Sequence, residues 1–136
     1  MRVLLDTNVL ASSIATRGLC TEIFERVLNE HQLLVSEPLL RELHRVLLRK
    51  FRLPPAVASE FVGMLESEGE MEHFAELKGF EFEDPDDIPI LASAVGGKAD
   101  FLVTGDKAML ALGDIEGIPI LSPRQFWQRL AGLKEG

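Results

Sequence analysis

Apolar positions along the chain alternate between two patterns. Four short continuous runs, Val3-Leu4-Leu5, Leu33-Leu34-Val35, Phe101-Leu102-Val103 and Ile118-Pro119-Ile120-Leu121, have the length and β-branched content of buried strands. Between them the apolar residues take helical spacing. Cys20, Ile23, Phe24, Val27 and Leu28 form one stripe after Arg17-Gly18, and Leu40, Leu43, Leu47 and Phe51 form another after Ser36-Glu37-Pro38. Leu53-Pro54-Pro55 breaks the second helix, and Val57, Phe61, Val62 and Leu65 give a third stripe that fades into the acidic stretch Glu66 to Glu72. Phe80-Glu81-Phe82 reads as a short strand with alternating faces, and Ile88 to Val95 as a helix. The last helix has a defined start: Ser122 as N-cap, Pro123 in the first helical position and Gln125 closing a capping box ahead of Phe126, Trp127 and Leu130. Strands that each feed a helix predict right-handed βαβ units, and so an α/β fold with a parallel sheet covered on both faces. The glycines at Gly96-Gly97 and Gly113 to Gly117 fit turns between elements.

Composition narrows the picture without changing it. The 136 residues, 46% apolar and 26% charged, suit one domain over residues 1–136 that needs no disulfide or structural metal. With Cys20 as the sole cysteine, no intrachain disulfide can form, and the cytoplasm is the expected compartment. No stretch reaches the ~18 apolar residues of a membrane span, and Asp6 interrupts the N-terminal apolar run too early for a signal peptide. The net charge of −8 excludes a protein that coats nucleic acid by bulk positive charge.

Chemistry is concentrated where strands end. In an open parallel sheet, ligands bind outside the carboxyl ends of the strands, where strand-to-helix loops meet positive helix N-termini. Here those ends carry Asp6-Thr7-Asn8, Ser36-Glu37 and Thr104-Gly105-Asp106, while Asp84-Pro85-Asp86-Asp87 precedes the helix at Ile88. Glu42 lies about 9 Å along its helix from Ser36, within reach of the same edge. Asp6, Glu42, Asp87 and Asp106 can therefore converge from separate elements. Such a group repels itself unless protons or divalent cations neutralise it, and oxygen ligands without His or Cys suit Mg²⁺ or Mn²⁺ rather than Zn²⁺. Divalent ions beside carboxylates support phosphodiester hydrolysis by water. Asn8 and Thr104 could assist through neutral hydrogen bonds. Singly, each Asp also suits a helix cap or a turn, and Glu42 a solvated helix position. A phosphohydrolase with an Asp nucleophile, with Lys107 beside Asp106, and a catalytically silent protein-binding module are the competing readings.

These segments resemble a known family in order and over nearly the whole chain. Val3 to Leu10 around Asp6-Thr7-Asn8, Ser36 to Leu43, Asp84-Pro85-Asp86-Asp87 before a small-residue helix, Ala99 to Lys107 around Thr104-Gly105-Asp106, and Ile120 to Phe126 are similar to PIN domains. The likeness is closest to the VapC-like toxins of toxin–antitoxin systems. The resemblance implies a three-layer α/β/α sandwich and a Mg²⁺- or Mn²⁺-dependent ribonuclease. It carries the four family acids onto Asp6, Glu42, Asp87 and Asp106, as catalytic and metal-binding residues, with Asn8 and Thr104 at accessory polar positions. Asp84 and Asp86 stand so close to Asp87 that one residue of register would move the third ligand, and Asp84 joins the accessory set. An RNA substrate, a cognate antitoxin and a homodimer are the partners the resemblance implies, and an RNA-processing nuclease outside a toxin system is the alternative.

An acidic chain must bind RNA locally. Arg41, Arg45, Arg49, Lys50 and Arg52 stand against Glu42 alone, a net of +4 within twelve residues. Arg45 and Arg49, three and seven positions after Glu42, lie close to its helix face and could lead a phosphate backbone toward the acids, and Arg17, in a loop after Asn8, could add a contact. His31, His44 and His73 have no ligand spacing, and Cys20 lies on an apolar face. None of these four is assigned to the site.

Overall fold

The computed structural model describes residues 1–71, 82 and 84–135. In chain order the elements are β1 (Arg2–Leu5), α1 (Thr7–Ala15), α2 (Leu19–Glu30), β2 (Gln32–Val35), α3 (Glu37–Arg49), α4 (Pro55–Glu68) and β3 (Glu70–Met71). They continue with a 3₁₀ turn (Pro85–Asp87), α5 (Ile88–Gly96), β4 (Phe101–Val103), α6 (Lys107–Leu112), β5 (Asp114–Ile115), β6 (Ile118–Leu121) and α7 (Pro123–Glu135). The four expected strands are β1, β2, β4 and β6. The expected strand at 80–82 lies outside the described residues except for Phe82, which is in neither helix nor strand.

The strands form one sheet in the order β3-β2-β1-β4-β6-β5. Every pairing is parallel except β5 with β6, where a tight hairpin closes on Glu116 and Gly117, both in the left-handed region (φ 47° and 84°). Asp114 steadies that turn by accepting the Gly117 N–H at 2.9 Å. Val3, Leu4 and Leu5 are all fully buried, although successive strand residues face opposite sides of the sheet. Both faces of the central strand are therefore covered, as a parallel sheet requires.

Chain order sets a switch point. From β1 the chain moves outward through β2 to β3, then returns to β4 on the other side of β1 and moves outward again to β6. The carboxyl ends of β1 and β4 thus flank the crevice where open α/β sheets bind ligands. Their register, Leu5 opposite Val103, sets Asp6 beside Thr104, and the Asp6 N–H extends the ladder to the Val103 carbonyl at 2.9 Å.

One expectation about this edge needs correction. The residues after Asp6 form helix α1 rather than a loop, so Asn8 lies in its first turn and Arg17 in the α1–α2 turn. Val9, Leu10, Ala11 and Ser13 of α1 are all buried, which leaves no one-sided apolar stripe to announce the helix. The C-terminal capping box is as expected: the Gln125 N–H donates to Ser122 Oγ at 3.2 Å and the Ser122 N–H donates to Gln125 Oε1 at 2.9 Å.

Candidate active site

Asp6 anchors the site. It ends β1, caps α1 and is 4% exposed. Its Oδ1 accepts the Thr7 N–H and its Oδ2 accepts the Thr104 hydroxyl, both at 2.7 Å. Burial raises its carboxyl above the usual range; the hydrogen bonds from Thr104 and Thr7 oppose that rise and the Asp106 charge adds to it. Thr104, fully buried at the end of β4, is a hub. Its hydroxyl donates to Asp6 and accepts the Asp106 N–H at 3.0 Å, so one side chain spaces the two acids. Asp106 caps α6 through the Met109 N–H at 2.9 Å.

The acids of the third acidic segment differ in their local roles. Asp84 accepts the Asp86 N–H at 3.0 Å and so caps the 3₁₀ turn, and both residues are exposed. Asp87 stands at the cap position of α5 but makes no capping bond. Half-buried, its carboxyl is pushed up to about 7, first by loss of solvent and then by the charges of Asp6, Asp84, Asp106 and Glu42. Glu42, half-buried on the second turn of α3, is raised by burial and by Asp6, with Asp86 and Asp84 adding smaller repulsions and Arg45 offsetting part. The charge of Asp6 thus acts on Glu42 and Asp87, that of Asp106 on Asp6 and Asp87, and that of Glu42 on Asp87.

Among the described residues, no salt bridge neutralises any of the four. Nor, among those residues, are three acidic, His or Cys side chains gathered tightly enough to hold one metal ion. The donor chemistry fits a hard divalent cation: the oxygens are carboxylates, and the Thr7 hydroxyl next to Asp6 is buried with no hydrogen-bond partner.

A cleft of about 210 Å³ opens beside Glu42, between α3 and the start of α5, with Pro38, Arg41 and Arg45 on one wall and Asp86, Pro89 and Ile90 on the other. Arg45 is exposed at this cleft; Arg41 is held by Glu37 at 2.7 Å. Arg49 and Arg17 are exposed and do not line it. Asn8 is exposed, and its Oδ1 accepts from Lys50 Nζ at 3.3 Å, which ties α1 to the end of α3. Two residues thus gain a place that their spacing did not announce. Thr7 was hidden inside Asp-Thr-Asn as a helix former, and Lys50 within the basic run, where only the fold reveals its reach to Asn8.

Comparison with known proteins fits this geometry. The family profile described as PIN domain matches residues 2–108, a span that holds all four acids. The chain belongs to the PIN domain family. PIN domains are generally nucleases. The fold of this PIN domain is similar to a chain in the crystal structure of VapBC2 from Rickettsia felis bound to a DNA fragment from their promoter, with a TM-score of 0.63 and 17% identity over 90% of this chain and 98% of that one. No curated protein matches the sequence. No described helix of this PIN domain is long and apolar enough to cross a membrane.

Proposed function

We propose that this PIN domain is a Mg²⁺- or Mn²⁺-dependent endoribonuclease and the toxin component of a toxin–antitoxin pair. The observation that carries the reading is the group of four acids at the sheet switch point, none with a salt-bridge partner among the described residues and one of them pushed up to about 7. Gathering like charges with no side-chain counter-ion is costly unless a bound cation neutralises them. Asp6, Glu42, Asp87 and Asp106 would hold it. Bound there, a hard cation supplies Lewis acidity and charge neutralisation for attack of water on a phosphodiester.

The chain's own residues do the rest. Thr104, by donating to Asp6, opposes the rise that burial imposes on its carboxyl, and it spaces Asp6 from Asp106. Burial and neighbouring carboxylates raise Asp87 and Glu42, and positive charge brought to the site would favour the ionised form of both. Arg45 at the cleft, with Arg49 farther along α3, would hold the RNA backbone on its approach, and Arg17 and Asn8 lie on the α1 side. An antitoxin partner is supported by the fold's similarity to a chain of the VapBC2 complex over nearly the full length of both.

Calorimetric titration of Mn²⁺ into the wild type and Asp6→Asn, followed by cleavage assays on RNA, tests the reading. Saturable binding and cleavage in the wild type, both lost in a folded Asp6→Asn, are expected. Asn keeps an acceptor for the Thr7 N–H and removes a buried charge but turns its NH₂ toward Thr104, so thermal unfolding without metal is the control that the variant is folded. Retained cleavage in Asp6→Asn would sink the assignment, and a folded wild type without Mn²⁺ binding or cleavage would favour a silent module.

A further inference from the structure

Helix α3, which bears Glu42, and helix α5, which follows directly on Asp87, are joined through a buried pair of hydroxyls, of which only that of Ser36 has a capping role. Ser36, fully buried, caps α3 by accepting the Leu39 N–H at 3.4 Å. Its Oγ lies 2.7 Å from Ser93 Oγ on α5, and Ser93 Oγ is also 2.7 Å from the Pro89 carbonyl one turn earlier. Ser93 is 1% exposed. Proton counting fixes the direction of this chain. Leu39 N–H can only donate and the Pro89 carbonyl can only accept, so Ser36 donates to Ser93 and Ser93 donates to Pro89. Each hydroxyl hydrogen is used once.

This relay ends on the two elements that hold the site. Glu42 lies six residues after Ser36, and Asp87 six residues before Ser93. Pro38 and Glu42 on one side, and Pro89 and Ile90 on the other, line the cleft between the same two helices. Like charge on Glu42 and Asp87 disfavours their close approach, so a tie between the elements that bear them bears on their spacing. A side chain in mid-helix flanked by Ala92 and Ala94 has no local need of a hydroxyl, since Ala is the better helix former and needs no buried hydrogen-bond partner. The hydroxyl instead supplies a directional tie across a sequence separation of 57 residues, where apolar packing alone would let the helices slide.

We propose that Ser93 is a positioning residue which, through Ser36, sets the separation of α3 and α5 and so the gap between Glu42 and Asp87 and the width of the cleft beside them. This rests on the divalent-cation reading given above. The test is calorimetric Mn²⁺ affinity of the full chain, measured without substrate on the wild type, Ser93→Ala, Ser36→Ala, the double variant and Leu130→Val, a change in the α7 core remote from both serines. Ser93→Ala is expected to raise the Mn²⁺ Kd about tenfold, and Leu130→Val to leave it within about twofold even where its Tm falls as far. In the Ser36→Ala background the same Ser93 substitution should change Kd by less than about twofold, because its acceptor role has already gone. Ser93→Cys, close in volume with a weaker donor, is expected to shift Kd in the same direction by a few-fold and serves if the alanine variant does not fold. A Ser93→Ala Kd within about twofold of the wild type, or an equal loss in Leu130→Val, overturns the positioning role while leaving the cation site intact. A folded wild type that binds no Mn²⁺ overturns both.

Discussion

Asp87 shows at the scale of one residue how the site differs from ordinary helix capping. Asp84 takes the local N–H, whereas Asp87 makes no capping bond and its carboxyl is raised by burial and by the charges of Asp6, Asp84, Asp106 and Glu42. In the folded, metal-free chain it holds its proton up to about pH 7, against 3.8 for a free side chain. Between those values the folded state binds a proton that the unfolded state has released, so stability falls as pH rises from about 4, and the loss is complete above about 7. Asp6 and Glu42, also raised, act in the same direction. The expected outcome is a metal-free Tm that is higher at about pH 5.5 than at about pH 7.5, with the difference reduced in Asp87→Asn. Thermal unfolding at the two pH values in chelator checks it; an equal difference in wild type and variant would remove Asp87 from the cluster. Mn²⁺, binding the ionised form, should lessen the decline. The sequence marked the four acids as candidates because Asp6 and Asp106 follow strands, Asp87 precedes a helix and Glu42 lies within two turns of a helix start. What was not legible is how the capping load divides, since Asp84, Asp86 and Asp87 are equivalent until backbone geometry assigns one of them to the 3₁₀ turn. Thr104 was legible as an accessory, but its role as the spacer between Asp6 and Asp106 depends on the β1–β4 register.

At the scale of elements, α7 gives a direct link from local signal to stability. Its capping box forms with both reciprocal bonds, and the helix then buries Phe126, which meets Phe101 of β4 at a ring separation of 5.7 Å, and Leu130. Ser122→Ala leaves the Gln125 N–H to solvent and should destabilise the chain by about 1 kcal/mol, read by urea unfolding with an unchanged m-value. A changed m-value would mean that α7 frays as a unit rather than losing a cap. The strands and the amphipathic helices α2, α3 and α4 were legible because continuous apolar runs and one-sided stripes are produced by different periods. The helix α1 was hidden because its buried positions run round the helix, and α6 has only six residues. β3 and β5, two residues each, have no pattern of their own and exist because β2 and β6 offer them edges. The Ser36–Ser93 contact lay beyond sequence reading for the same reason: it joins residues 57 positions apart.

For the whole molecule, the difficulty is a chain of net charge −8 proposed to hold a polyanion. Exposed charges farther apart than about 8 Å are largely screened at physiological salt, so the total matters less to a bound strand than the charges along its path. That path begins at the acids, which a cation must neutralise before a phosphate can approach, and continues along α3, where Arg45 lines the cleft and Arg49 follows one turn later. Arg41 contributes less because Glu37 already holds it. Each phosphate neutralised on a single strand adds about −0.7 to the slope of log K against log salt. If Arg45 and Arg49 each hold one phosphate, replacing both by Ala in the otherwise wild-type chain should make that slope shallower by about 1.4. Fluorescence anisotropy of a labelled, non-hydrolysable RNA analogue across a salt series at constant Mg²⁺ measures it, with the cation site left intact. Weaker binding with a shallower slope would run the RNA along α3. Weaker binding with the slope unchanged would mean that the two arginines act on the fold of the cleft, and unchanged binding would move the strand to the α1 side, where Arg17 and the Lys50–Asn8 pair become the next cations to replace.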